Sequence, residues 1–182
     1  MSRTVRKLFM DFEKEEQWLN EMAAKGLALI KYSWACYVFE ESGRGEFIYR
    51  LELLENDPKG AKSAEYLKFV EETGAECVAV NFRWVIFRKK AADGPFTIYS
   101  DADSIIKHYQ RVHRLWISLA MMELVIGFIN LGMSVLNNRS SLSNINLVIG
   151  LLLIALGAVF ILFSMRVRKK IKKLSSDKLI RD

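Results

Sequence analysis

The pattern of apolar and polar positions changes character near residue 114. Upstream, short apolar runs alternate with charged ones; downstream, two long runs are almost wholly apolar. The opening "TVRKLFM" reads as a strand. "DFEKEEQWLNEMAAKG" reads as an amphipathic helix, with Asp11 as N-cap, acids in the first turn, Gly26 past the last turn, and Trp18, Leu19, Met22 and Ala23 on the apolar face. "LALIKYSWACYVFEE" is aromatic and β-branched, as strands prefer. After the turn "SGRGE", the segment "FIYRLELLE" alternates, with Phe47, Tyr49, Leu51 and Leu53 on one side. "SAEYLKFVEETG" predicts a second helix presenting Tyr66, Leu67, Phe69 and Val70. "AECVAVNFRWVIFRKK" predicts a long strand, or a hairpin bent near Asn81–Arg83.

This order, β-α-β-β-α-β, predicts an α+β, ferredoxin-like unit over residues 1–100, with two helices on one face of a four-stranded, mostly antiparallel sheet. The uncovered face makes Tyr32, Trp34, Arg50 and Arg83 candidates for binding a ligand or a protein. Ordinary cross-strand pairing is the other reading of the same four residues.

Beyond "DGPF", the segment "SDADSIIKHYQRVHRLW" predicts a connecting helix over 101–114, with Ser100 as N-cap and Asp103 three residues on. No Pro or Gly intervenes before Gly127, so this helix is expected to run unbroken into the first apolar run, a rigid link able to transmit movement. The apolar runs, 115–136 and 147–165, each match the ~20 helical residues that cross a bilayer core of ~30 Å. The second holds 13 Leu, Ile, Val or Phe among its 19 residues and no charge. The first is interrupted by Glu123 and Asn130. An acid near the centre of a span costs about 2.5 to 3.5 kcal/mol, which marks Glu123 and Asn130 as candidate functional residues. Either the acid is satisfied within the helix pair or another chain supplies its partner.

Small residues recur every seven positions in both runs: Ala120, Gly127 and Ser134 in the first, Ser143, Gly150, Gly157 and Ser164 in the second. That spacing predicts a close antiparallel packing. With a turn near Leu142, Ala120 falls level with Ser164, Gly127 with Gly157, and Ser134 with Gly150, and Glu123 shares the face of Ala120 and Gly127.

Charge settles the expected topology. Residues 1–114 hold 18 Lys+Arg and 18 Asp+Glu, and the apolar runs with their 137–146 connection add only Glu123 and Arg139. The tail 166–182 has eight basic and two acidic residues and so carries the whole net charge of +6. Such a juxtamembrane run predicts both termini on the cytoplasmic side, an external loop at 137–146, and contact of the tail with anionic lipid; nucleic-acid binding is not expected. Cys36 and Cys77 lie on separate predicted strands, without a CxxC or a Cys/His cluster, so no metal is expected and the thiols are expected to stay reduced in the cytosol. No Gly-rich phosphate loop, zinc spacing or nucleophile elbow is found, so the chain reads as non-enzymatic and without cofactor.

"FEKEEQWLNEMAAKG", "FIYRLELLEN" and "RWVIFRKKAADGPFTIYSDADSIIKHYQR" resemble, in order and spacing, the bacterial domain-of-unknown-function family numbered 2812, over about Phe9 to Arg111. The resemblance implies membrane spans after the domain and a regulated setting, since family genes often neighbour PadR-type transcription regulators. It carries no catalytic residue across. Two roles are consistent with this: a sensor or adaptor in the bacterial cell membrane that binds a protein or small ligand, as a homo-oligomer or with a protein partner, or an accessory subunit of a transporter or export complex.

Overall fold

The computed structural model describes residues 2–99, 101–136 and 141–181, in two units, Met1–Ser100 and Asp101–Asp182. The first unit is α+β. Its strands are β1 (Arg3–Arg6), β2 (Leu27–Ser33), β3 (Cys36–Glu41), β4 (Phe47–Leu53), β5 (Glu76–Asn81) and β6 (Trp84–Lys90), with helices α1 (Phe12–Ala24) and α2 (Ala61–Glu72). The strands form two three-stranded antiparallel sheets, ordered β1-β3-β2 and β4-β6-β5, and not the single four-stranded sheet of the ferredoxin-like expectation. The difference arises at two tight turns. "LALIKYSWACYVFEE" folds back at Trp34–Ala35 and "AECVAVNFRWVIFRKK" at Phe82–Arg83, so each aromatic stretch supplies a hairpin. Neither turn has the Gly, Asn or Asp that normally signals one. Trp34, Ala35 and Phe82 adopt positive φ (24°, 60° and 52°) themselves.

The two sheets belong to two βαββ repeats in register with each other. Helix α1 is followed by Gly26 and α2 by Gly74, both at positive φ (81° and 86°). The hairpins bulge after Leu29 and Cys77, and turn after Ser33 and Asn81. Every one of these pairs is 48 residues apart. Each helix covers its own hairpin: Leu19, Met22 and Trp18 pack with Tyr37 and Phe39, and Val70, Tyr66 and Leu67 with Val85 and Phe87. The alternate side chains of the second sheet, Tyr49, Leu51 and Ile86, join the first core instead, so that sheet is buried on both faces.

Polar side chains complete the joint between the repeats. Strand β4 is a sheet edge, and Asn20 of α1 reads it as a third strand would: its Oδ1 accepts from Tyr49 N–H (2.9 Å) and its amide donates to Tyr49 O (3.1 Å). Glu16 accepts from Leu51 N–H (2.9 Å) and pairs with Arg50 (3.0 Å). The edge strand β2 of the first sheet is served at its bulge by the second repeat, where Leu29 N–H donates to Tyr49 Oη (2.7 Å) and Arg88 donates to Leu29 O (3.0 Å). Burial pushes the carboxyls of Glu15 and Glu16 above the usual range; Glu15 accepts the Tyr37 hydroxyl at 2.6 Å.

The second unit is a pair of antiparallel helices, α3 (Ala102–Leu136) and α4 (Ser141–Arg181). Helix α3 is continuous, so the segment 101–114 and the first apolar run form one rod. Ser100, the expected N-cap, lies outside the described residues; Asp101 accepts from the Ser104 backbone N–H and hydroxyl, both at 2.8 Å. Helix α4 starts inside the expected 137–146 loop, whose residues 137–140 lie outside the described ones, and it continues through the basic tail. At 35 and 41 residues, both helices exceed the ~20 that a bilayer core requires. Beyond the apolar stretch they stay together, with Lys178 paired to Asp103 (2.8 Å) and Lys170 over the Tyr109 ring (5.0 Å).

Candidate functional site

A seam of small residues joins α3 and α4. Ser134 and Ser143 exchange hydrogen bonds, each hydroxyl donating to the other's carbonyl at 2.9 and 2.8 Å. Gly127 meets Gly150, where a Cβ on Gly150 would lie 2.9 Å from Gly127 O and 2.9 Å from Leu131 Cδ2. A Cβ on Gly157 would come within 3.0 Å of Leu124 and 3.3 Å of Ala120 O. His113 Nδ1 lies 2.6 Å from Ser164 Oγ. Ala120, Gly127, Ser134, Gly150, Gly157 and Ser164 are all buried on this seam. Backbone carbonyls therefore touch the neighbouring helix directly, which only glycine permits at these crossings.

The register differs from the expected one by a heptad. Ser134 faces Ser143, not Gly150; Gly127 faces Gly150, not Gly157; Ala120 faces Gly157, not Ser164. The expected turn near Leu142 fails because Leu142 is already inside α4. A seven-residue repeat is satisfied equally by any register shifted by seven. Extending the spacing one step upstream of Ala120 gives His113, the partner of Ser164, which the small-residue pattern alone passes over.

The two flanks of the seam differ. On one, Leu124, Leu131 and Ile154 fill the notches over Gly157, Gly150 and Gly127. On the other stand Trp116, Glu123 and Asn130 of α3, all half-buried and seven residues apart. Trp116 stacks on Phe160 and Phe163 of α4, with centroids 5.4 and 5.3 Å away. Glu123 is thus beside the seam and not within it, contrary to the expectation that it shares the face of Ala120 and Gly127. The register places Glu123 level with Leu153 and Asn130 level with Asn146, both half-buried. The amide of Asn130 donates to Ile126 O (2.9 Å). Among the described residues Glu123 has no hydrogen-bond or ion-pair partner.

The four candidates of the α+β unit are not brought together. Tyr32, half-buried, packs on Tyr37 against the first core, with centroids 4.7 Å apart. Arg50 is held by Glu16 and by Phe96 O (3.0 Å), and Arg83 by the carbonyls of Leu54 and Glu55. Trp34 is 76% exposed at the first hairpin tip, and its counterpart 48 residues on, Phe82, is 81% exposed at the second. Phe82 was not among the sequence candidates, although it lies in the alternative bend expected near Asn81–Arg83.

The architecture so far is an α+β unit followed by two helices long and apolar enough to cross a membrane. A family profile described as a protein of unknown function, DUF2812, matches residues 11–121, and the chain belongs to this family. The match covers most of both repeats and the first part of α3, and stops two residues before Glu123. No curated protein and no solved structure matches the chain.

Proposed function

We propose that the chain is a two-pass protein of the bacterial cell membrane, with both termini cytoplasmic, whose α+β unit is a sensor or adaptor binding a protein or a small ligand. The observation that carries the anchoring is the interlocked seam: two long helices touch through Gly127, Gly150 and Gly157, while Val125, Phe128, Leu151 and Leu152 point outward and are exposed. An outer surface of that composition suits lipid tails, and small residues at the contact suit helices that pack without a hydrophobic driving force. The basic residues from Arg166 to Lys173 would meet anionic headgroups, at about 1 kcal/mol each. Binding falls to the exposed hairpin tips, Trp34 and Phe82, because Arg50 and Arg83 are engaged in the fold.

Membrane fractionation tests the anchoring: the protein should resist extraction at alkaline pH, and reporters fused to either terminus should both be active only in the cytoplasm. Affinity capture from detergent tests the adaptor role. A partner recovered with the wild type and lost with Trp34→Ala plus Phe82→Ala supports it; the same partner recovered equally with both argues against these tips.

A second reading, an accessory subunit of a transporter or export complex, is favoured by the half-buried Glu123 and Asn130 in an otherwise apolar stretch, since polar residues at such depth mark contacts with other membrane components. It requires a stable complex held through the helices. Native electrophoresis at the mass of this chain alone would remove it.

A further inference from the structure

We propose that the flank carrying Glu123 and Asn130 is the docking surface for a second copy of this chain, α3 against α3, with Glu123 meeting Glu123 and Asn130 meeting Asn130. The inference rests on the membrane-spanning reading above. Three observations carry it. The seam and the opposite flank are already filled, by the Ser134–Ser143 pair, glycine contacts and Leu124, Leu131 and Ile154. The remaining flank holds Glu123 and Asn130 at one heptad position, and they are not fully used: Glu123 has no partner among the described residues, and Asn130 spends its amide N–H on Ile126 while its carbonyl oxygen accepts nothing there. Elsewhere the outward surface of the same helix is mostly apolar, as at Phe128 and Val135, and matches lipid without a partner; the exposed Ser118 spends its hydroxyl on Leu115 O (2.9 Å) of its own helix.

The occupant follows from hydrogen-bonding chemistry. Residues 115–165 hold no cation apart from Arg139, sixteen positions along the sequence from Glu123, so this stretch offers no opposite charge at the level of Glu123. An amide carries a donor and an acceptor, and so does a carboxylic acid. Each is complementary to itself, and a two-fold dimer sets identical residues at identical depth. Two polar residues seven apart also fix the register of such a pair, as buried asparagines do in coiled coils. In helical-wheel terms the second α3 would lie over Glu123, Asn130, Leu119, Ile126 and Met133.

Cysteine crosslinking in membranes of an expression host tests this with the full chain. Cys36 and Cys77 are first replaced by Ser, and single cysteines are then placed as Ile126→Cys, Met133→Cys, Phe128→Cys or Val135→Cys. Oxidation should give a product at twice the 21.0 kDa of the chain from positions 126 and 133, and about fivefold less from 128 and 135. In the Ile126→Cys background, Glu123→Leu with Asn130→Leu should cut the dimer about fivefold. Glu123→Gln, which keeps a donor and an acceptor, should retain it. Equal crosslinking from all four positions, none from 126 and 133, or a product joined to a host protein instead of a second copy would each overturn the proposal. Loss of the chain from the alkali-resistant membrane fraction would instead overturn the membrane reading itself.

Discussion

Leu19, Ile30, Trp34 and Phe39 of the first repeat stand where Leu67, Val78, Phe82 and Phe87 stand in the second, each pair 48 residues apart, while Asn20 and Glu16 are matched by Lys68 and Ala64. The conserved half of this comparison is what makes a βαββ unit fold: an apolar helix face, a bulged hairpin and a tight turn. The divergent half is what joins one unit to the other. In the first repeat the helix lends its amide and carboxylate to the open edge of β4; in the second, Lys68 and Ala64 have no such role, and that repeat contributes Tyr49 and Arg88 to the β2 bulge instead. An exposed strand edge is a liability for unwanted pairing. Here each repeat serves an edge of the other with side chains.

The strongest way to break this comparison is to cut the shared cores. Phe39 and Phe87 are both fully buried. Phe39→Ala and Phe87→Ala should each cost about 3 to 5 kcal/mol, measured by denaturant unfolding of the full chain in detergent with tryptophan fluorescence as the readout. A cheap loss at one site only would mean that the two cores are not equivalent. Next in size are the divergent positions. Asn20→Ala strips two bonds from the β4 edge and should cost about 1 to 3 kcal/mol, whereas Lys68→Ala should stay within about 0.5 kcal/mol. Equal costs would show that α1 has no special role at the joint.

Much of this plan was legible in the sequence, and the failures have physical causes. The spans of α1 and α2 follow from apolar spacing and from Asp11, whose carboxylate accepts from Glu13 N–H at 3.1 Å. The long apolar helices follow from composition. The first hairpin was hidden because its turn uses Trp34 and Ala35 at positive φ, where glycine or asparagine is the normal signal; the second was legible only as the alternative to one long strand, since Phe82 likewise takes positive φ itself. The targets of Arg50 and Arg83 were hidden because they include backbone carbonyls, which leave no trace in side-chain pattern. Of the helix seam, the participating small residues were legible and their register was not, because a strict seven-residue period does not distinguish one heptad from the next.

The turns give a smaller test. Ala35→Gly and Phe82→Gly relieve a non-glycine residue of positive φ and should each stabilise the hairpin by about 0.4 to 1 kcal/mol. Phe82→Gly also removes the exposed ring, so a gain in stability accompanied by loss of a captured partner would separate the ring's binding role from its structural cost.

The smallest effect concerns Glu15, matched in the second repeat by Ser63, which is buried and uncharged. Burial holds the Glu15 carboxyl above its ordinary value of 4.5, against the lowering effect of the Tyr37 hydrogen bond. The folded state therefore keeps the proton to higher pH than the unfolded chain does. Below about pH 4.5 both states are protonated and the group is neutral in the balance; as pH rises past that value, the unfolded chain ionises first and stability falls until the folded carboxyl ionises too. Glu15→Gln keeps the acceptor for the Tyr37 hydroxyl and removes the charge. It should raise the unfolding midpoint slightly at pH 7 and make no difference near pH 4, while Ser63→Ala should show no pH dependence. A Glu15→Gln effect that stayed constant from pH 4 to 7 would mean that lost contacts, and not buried charge, set this position apart from its counterpart.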